Sequence, residues 1–132
     1  MEVGDITSKA FVLLAMIFCH IVDDYYLQGW LASAKQKKYW KENAPGKMYR
    51  HDYLVALVMH SMSWAFMIML PVAFHMSWNV GSGFVVVFAL NAICHAFVDN
   101  AKANWLVINL VTDQAIHMVQ IAVTFWTMVA YG

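Results

Sequence analysis

Charged residues are scarce in this sequence. Only 12% of the 132 residues are Asp, Glu, Lys or Arg, whereas 62% are hydrophobic. Ordinary soluble domains carry about 25% charged residues. A soluble domain of this length could not bury so many Leu, Val, Met, Phe and Trp side chains, so the composition indicates an integral membrane protein. Residues 1–9 contain two acids and no basic n-region, which is not typical of a cleaved signal peptide.

Cysteine is also rare, and several motifs are missing. The two cysteines, Cys19 and Cys94, lie inside apolar segments, which argues against a disulfide framework. Packing is the favoured role for both, because cysteine is commonly buried, and metal ligation is the alternative. No glycine-rich phosphate loop and no nucleic-acid-binding motif is present, so a nucleic-acid partner is not expected.

Four apolar segments organise the chain, at about residues 6–27, 53–74, 80–99 and 105–131. Each has roughly 20 residues or more, enough to cross a hydrocarbon core of about 30 Å. The sequence therefore predicts an all-α fold: an integral membrane four-helix bundle that forms a single transmembrane domain over residues 1–132. In the competing interpretation, the first or the fourth segment is a re-entrant or interfacial helix.

Basic residues are concentrated in one connection. Six of the eight Lys and Arg lie between Lys35 and Arg50. The positive-inside rule then predicts that the basic loop 29–50 is cytoplasmic and that both termini are external. This loop could form an amphipathic surface helix whose lysines pair with anionic lipid headgroups, or it could be an ordinary solvated loop. The lysines in question are Lys35, Lys37, Lys38 and Lys41.

Polar residues recur every four positions inside the apolar segments. Residues four apart share one face of a helix, and ionisable groups within a membrane span usually mark function. With the predicted topology, all the His and Asp residues of these stripes fall in the cytoplasmic half of the membrane. The stripes are His20, Asp24 and Gln28; Asn91, His95, Asp99 and Lys102; Asn109, Asp113, His117 and Gln120; and His60 alone in the second segment.

Four imidazoles and three carboxylates in one region predict a divalent metal centre. Zinc is favoured, and iron or manganese would also suit these ligands. Two ions about 3.5–4 Å apart, bridged by an Asp, would use the full set. The predicted ligands are His20, Asp24, His60, His95, Asp99, Asp113 and His117, and the residues expected to orient them are Gln28, Asn91, Asn109 and Gln114.

Two alternatives to a metal centre stay open. The same residues could form a metal-free proton relay or ion-pair network. Haem is less favoured, because axial histidines alone would leave the Asp residues without a purpose. Within the first segment, Asp24 is preferred over Asp23, which on an α-helix points about 100° away from the face of His20 and could cap, face water or assist the site.

The ordered motifs resemble a family of small bacterial and phage membrane proteins of unknown function. The matching stretches are "FCHIVDDYYLQ", a histidine in the second span, "HAFVDNAK" and "DQAIH". The chain is also distantly similar to membrane-bound proteins labelled metal-dependent hydrolases. The resemblance implies a bacterial inner-membrane protein. The positions that match are His20, Asp24, Gln28, His60, His95, Asp99, Lys102, Asp113, Gln114 and His117.

The function predicted from these features is metal-dependent hydrolysis of a lipid-linked or anionic substrate. Asp24 or Asp99 would bridge the metal or act as general base, and Lys102, together with Gln28, would hold an anionic group. One alternative is an ion or proton transporter or a channel subunit, which could be a homo-oligomer. Another is a non-catalytic membrane protein whose structural metal site serves the binding of a partner protein.

Overall fold

The computed structural model describes residues 3–131, with only the backbone described for Val3, and this range is helical without any β-strand. The all-α prediction is thus confirmed. Helices α1 to α6 span Val3–Val22, Leu31–Ala34, Lys37–Asn43, Asp52–His75, Ser82–Asn100 and Leu110–Phe125. Shorter turns follow or connect them: π-helical turns at Asp23–Leu27, Ala101–Trp105 and Trp126–Ala130, and a 3₁₀ turn at Lys47–Tyr49.

Helix α4 lies at the centre of the fold. It packs against α1 and α5, and both of these also contact α6. The core consists of apolar side chains from the middle of α1, the second half of α4, and α6 with the turn that follows it. Its members are Val12, Met16, Trp64, Ala65, Ile68, Met69, Val72, Ile121 and Val129. The polar stripes lie beyond one end of this core.

Three helical segments are long and apolar enough to cross a membrane: Gly4–Leu27, Lys47–His75 and Ser82–Trp105. Their outward faces carry large apolar side chains such as Phe11, Phe18 and Phe97. Exposed apolar surface of this extent is typical of contact with lipid. These segments indicate a membrane protein.

The fourth predicted span, residues 105–131, is not confirmed. The α-helix there begins only at Leu110 and has 16 residues, or about 24 Å at 1.5 Å per residue, which is less than a bilayer core of about 30 Å. Asp113, His117 and Gln120 interrupt its apolar character. A π-helical turn extends it to Ala130, but this segment is not among the helices of the described range that meet the length and apolarity of a span.

The basic loop is folded rather than extended. It forms α2 and α3, and α2 packs against α4. The chain enters α2 through Gly29, whose φ of 49° lies in the left-handed region that glycine adopts most readily. One expectation about this loop is corrected: Lys35 does not face lipid headgroups, because it is only 6% exposed and points into the bundle.

Candidate metal centre

A π-helical turn at the end of α1 presents two consecutive carboxylates to the interior. The backbone N–H of Gln28 donates to the backbone carbonyl of Asp23, five residues earlier, at 3.1 Å. This wider turn rotates less per residue than an α-helix, so the predicted separation of Asp23 from Asp24 does not apply. Asp23 is fully buried, Asp24 is 9% exposed, and Asp23 accepts a hydrogen bond from Ser63 Oγ at 2.5 Å.

Four side-chain atoms, from the π-helical turn after α1 and from α4 and α5, face one another. His60 Nε2 lies 3.2 Å from His95 Nε2, 3.4 Å from Asp24 Oδ1 and 3.3 Å from Asp99 Oδ2. His95 Nε2 lies 3.9 Å from the same Asp24 oxygen and 3.7 Å from the same Asp99 oxygen. Two ligands of a tetrahedral zinc ion, each about 2.05 Å from the metal, are about 3.3 Å apart. The spacing of these atoms therefore fits a single divalent ion.

The other oxygen of Asp99 faces a second group. Asp99 Oδ1 lies 3.6 Å from His117 Nε2, and that nitrogen lies 3.4 Å from Asp113 Oδ1. The rings of His95 and His117 stack with their centroids 4.2 Å apart, so the two groups adjoin. His95, Asp99 and His117 can place their ligand atoms close enough together to hold an ion, as can Asp24, His60 and His95. Asp99 is thus placed to bridge two positions.

Among the described residues, three of the atoms that face the centre have no hydrogen-bond partner, whereas Asp99 Oδ2 accepts from Lys35 Nζ and the Nε2 atoms of His60 and His95 are within hydrogen-bond distance. Within the described range, Asp24 Oδ1, Asp113 Oδ1 and His117 Nε2 are buried without a partner. The other ring nitrogen of His117, Nδ1, lies 3.4 Å from Gln120 Oε1, an acceptor, so Nδ1 carries the proton and Nε2 presents a lone pair. A lone pair beside two carboxylate oxygens is unfavourable in a buried site, and a bound cation would relieve this repulsion.

The charges around the centre are unbalanced in the negative direction. The four buried carboxylates of Asp23, Asp24, Asp99 and Asp113 face two ammonium groups. Lys35 Nζ lies 2.5 Å from Asp99 Oδ2, and Lys102 Nζ lies 2.6 Å from Asp113 Oδ2. With neutral imidazoles, the cluster carries a net charge of −2. One divalent cation would neutralise it in this poorly solvated interior.

His20, predicted as a ligand, has both ring nitrogens occupied by other partners. Trp64 Nε1, which can only donate, lies 2.8 Å from His20 Nδ1, and His20 Nε2 lies 3.0 Å from Gln114 Oε1. The amide nitrogen of Gln114 in turn donates to Asp24 Oδ2 at 3.3 Å and to Asp113 Oδ2 at 3.0 Å. His20 therefore supports the centre through Gln114, in a chain of donors that ends on the two carboxylates.

The remaining predicted residues occupy different surroundings. Gln28 accepts from Lys35 at 3.0 Å and donates to the Asp24 carbonyl. Asn91 accepts from Gln120, the side chain that contacts His117, at 3.3 Å. Asn109, in contrast, is exposed and caps α6 by accepting from the Thr112 amide at 2.9 Å, which places it outside the centre.

Comparison with known proteins places the chain in a family. The model of a family described as "Protein of unknown function (DUF3307)" matches residues 12–132. The chain belongs to this family. The comparisons with curated proteins and with solved structures found no match.

Membership in the DUF3307 family confirms the resemblance to a family of unknown function. The matched range contains every residue of the centre, from His20 on α1 to His117 on α6. The similarity to metal-dependent hydrolases is not tested by this match and stays a prediction.

Sequence reasoning missed three residues that contact the centre: Lys35, Ser63 and Trp64. Trp64 follows His60 by four residues, so the sequence does predict that both lie on the same face of the helix. Lys35 had no such signal, because it lies among other lysines and reaches Asp99 across 64 residues of sequence. Neither Cys19 nor Cys94 belongs to the His/Asp groups of the described range that could hold an ion.

Proposed function

We propose that this chain is an integral membrane, metal-dependent hydrolase that acts on a lipid-linked or anionic substrate. Its centre would hold one or two divalent ions, with zinc favoured and iron or manganese as alternatives. The observation that carries the proposal is the convergence of imidazole nitrogens and carboxylate oxygens on one buried point, where Asp24 Oδ1, Asp113 Oδ1 and His117 Nε2 have no hydrogen-bond partner among the described residues. Asp24, His60, His95 and Asp99 would form one position, and Asp99, Asp113 and His117 the other.

A small cavity beside the centre supports a catalytic role. It has a volume of about 140 Å³, and its lining includes Asp24, Asp99, Lys35, Lys102 and Gln114. A water molecule occupies about 30 Å³ of liquid volume, so a phosphate-sized group fits. Once a divalent ion offsets the net charge of −2, the two ammonium groups in this wall would favour an anionic substrate, whose reacting atom would lie next to the ligands of the ion.

The cavity also suggests how the residues would divide the reaction. A divalent ion held at the centre would supply a hydroxide nucleophile at neutral pH. Asp24, in the cavity wall, would take the proton released by the attacking water and return it to the leaving alcohol. The new bond joins the water oxygen to the phosphorus or carbonyl carbon, and the ester bond to the alcohol breaks. Lys102 would hold the anionic group of the substrate.

Transport has less support than hydrolysis. Among the described residues beyond the centre, the buried side chains are apolar apart from Ser61, Asn91 and Thr124, and none of these is ionisable. A path for ions or protons usually carries ionisable groups or water along its length. We also propose that residues 1–132 form a single transmembrane domain in a bacterial inner membrane, with the basic segment 29–50 cytoplasmic and both termini external.

Hydrolysis is testable with purified protein and a phosphate-ester lipid. We expect protein in neutral detergent to release inorganic phosphate from phosphatidic acid, to lose this activity after treatment with a chelator, and to regain it with Zn²⁺, Mn²⁺ or Fe²⁺. Lys102→Gln should lower kcat/KM by about tenfold or more, because the substrate loses a charge-assisted contact. The matched control is Lys38→Gln, which removes an exposed lysine whose partner is Glu42. Full metal loading without ester hydrolysis would contradict the hydrolase and favour a structural metal site.

Asp23 is expected to orient His60 toward the ion. Asp23 Oδ2 lies 3.6 Å from His60 Nδ1, while His60 Nε2 faces the centre. A carboxylate behind a metal-bound histidine fixes the orientation of the imidazole ring and raises its basicity. Loss of such a carboxylate typically lowers the affinity for the metal by about 10–100-fold. Asp23→Asn should therefore weaken Zn²⁺ binding about tenfold or more in a competition titration with a chelator. Unchanged affinity, or an equal loss in the exposed control Asp5→Asn, would argue against this role.

A further inference from the structure

A second cavity lies at the surface of the basic segment and is separate from the metal centre. It has a volume of about 460 Å³, and we call it the basic pocket. Four side chains of its wall are cationic, and no carboxylate lines it. Its main lining residues are Lys37, Trp40, Lys41, Lys47, Tyr49 and Arg50.

The cations of the basic pocket differ from the other four in the chain. Lys9, Lys35, Lys38 and Lys102 each have a carboxylate within 4 Å: Asp5 at 3.5 Å, Asp99 at 2.5 Å, Glu42 at 3.7 Å and Asp113 at 2.6 Å. Within residues 3–131, the four cations of the pocket have no such partner. The chain has equal numbers of acidic and basic residues, so this local excess of positive charge is a specific property of the pocket.

Aromatic rings hold the walls of the pocket in place. Trp40 Nε1 donates to the Ala34 carbonyl at 2.7 Å, and the Trp40 ring lies nearly parallel to that of Tyr49, at 6.3 Å between centroids. Lys37 Nζ sits 4.9 Å above the ring of Tyr53. These contacts orient the backbone that carries the cations before any ligand arrives, which lowers the entropic cost of binding.

The surroundings of the pocket are those of a membrane surface. Met48, between two pocket residues, is 82% exposed. The Lys37 amide donates to Asn104 Oδ1 at 2.7 Å, which fixes the pocket beside the end of α5. There Trp105 and Leu106 are also exposed, Leu106 by 79%. Exposed apolar and aromatic side chains next to a cluster of cations are typical of the headgroup level of a bilayer.

We propose that the basic pocket binds the phosphate-bearing headgroup of an anionic membrane lipid. The cations supply charge-assisted hydrogen bonds to the phosphate, and the exposed apolar side chains beside them contact the acyl region. This binding needs neither the metal centre nor hydrolysis. It therefore stands or falls separately from the proposed function.

The test is lipid binding by the full chain in neutral detergent, measured by native mass spectrometry with a chelator present, so that phosphatidic acid is not hydrolysed at the metal centre. Wild-type protein should bind dioleoyl phosphatidic acid and not the zwitterionic phosphatidylcholine. Lys41→Gln with Arg50→Gln should raise the dissociation constant for phosphatidic acid about 25-fold, since each cation near a surface contributes about fivefold. Both side chains are exposed, so the fold and the metal content should not change.

The matched control is Lys9→Gln with Lys38→Gln, which also removes two cations but leaves the basic pocket intact. It should retain wild-type affinity. Unchanged affinity in the pocket variant, equal binding of phosphatidylcholine, or an equal loss in the control would overturn the proposal. Inorganic phosphate that binds as tightly as phosphatidic acid would overturn the assignment to a lipid. Binding that persists in the metal-free protein is expected.

Discussion

Replacing Asp99 with asparagine is expected to abolish stoichiometric metal binding. Asp99 faces the two candidate positions with separate oxygens: its Oδ2 lies 3.3 Å from His60 Nε2 and its Oδ1 lies 3.6 Å from His117 Nε2. An amide keeps the shape of the side chain but removes the charge and replaces one ligating oxygen with a donor nitrogen. The affinity for Zn²⁺ should fall by more than about a hundredfold, which is the largest loss typical for residues that only hydrogen-bond to a metal ligand.

Elemental analysis of purified protein, together with Zn²⁺ titration, measures this effect. Asp99→Asn leaves the Lys35 ammonium without its partner, which could unfold the bundle for a reason unrelated to metal. A second variant, Asp99→Asn with Lys35→Gln, removes that charge and should be folded and metal-free. Asp52→Asn, at the start of α4, serves as the matched control. One or two ions retained in the double variant would refute a metal centre built on Asp99.

The second large effect is expected at Trp64. This side chain is fully buried in the core, its ring stacks on His95 at 4.2 Å, and its N–H donates to His20 at 2.8 Å. Trp64→Ala creates a cavity and also frees His20, the first member of the chain that ends on Asp24 and Asp113. Large-to-small changes of this kind cost about 3–5 kcal/mol.

The free energy of unfolding of each variant can be measured in detergent by circular dichroism and compared with that of the wild type. Trp64→Phe keeps most of the ring and loses only the donor, so it should cost about 1–3 kcal/mol. Trp105→Ala, in which a half-exposed ring is removed, should stay within about 0.5 kcal/mol of wild type. A loss for Trp64→Ala no greater than that for Trp105→Ala would show that Trp64 does not support the site.

Much of the candidate site could be predicted from spacing, because the relevant helices are regular there. His95 and Asp99 on α5, and Asp113 and His117 on α6, are four residues apart on one face, and the structure brings them together with His60. The same rule failed at Asp23. A π-helical turn has a different angle per residue, and no simple sequence pattern separates it from an α-helix.

Other features depended on contacts that no local pattern contains. His20 shares the spacing of the other histidines, but the donor group of Trp64 determines which way its ring nitrogens face. Asn109 was placed by extending the α6 pattern backwards, whereas the helix begins one residue later and uses Asn109 as its cap. The length of the fourth predicted span was also too great, because the continuous α-helix Leu110–Phe125 is shorter than the apolar run from 105 to 131.

The two buried lysine contacts bear on how the protein is made. Lys35 and Lys102 give the carboxylates counterions that belong to the chain itself. The charge that remains can be met by protons on two of the imidazoles, because imidazole is a base that can carry a proton. Helix packing in the bilayer therefore does not have to wait for a cation to be delivered. If the centre binds a metal as proposed, loading would be a late step of biogenesis, in which an incoming ion exchanges for protons in a bundle that is already assembled.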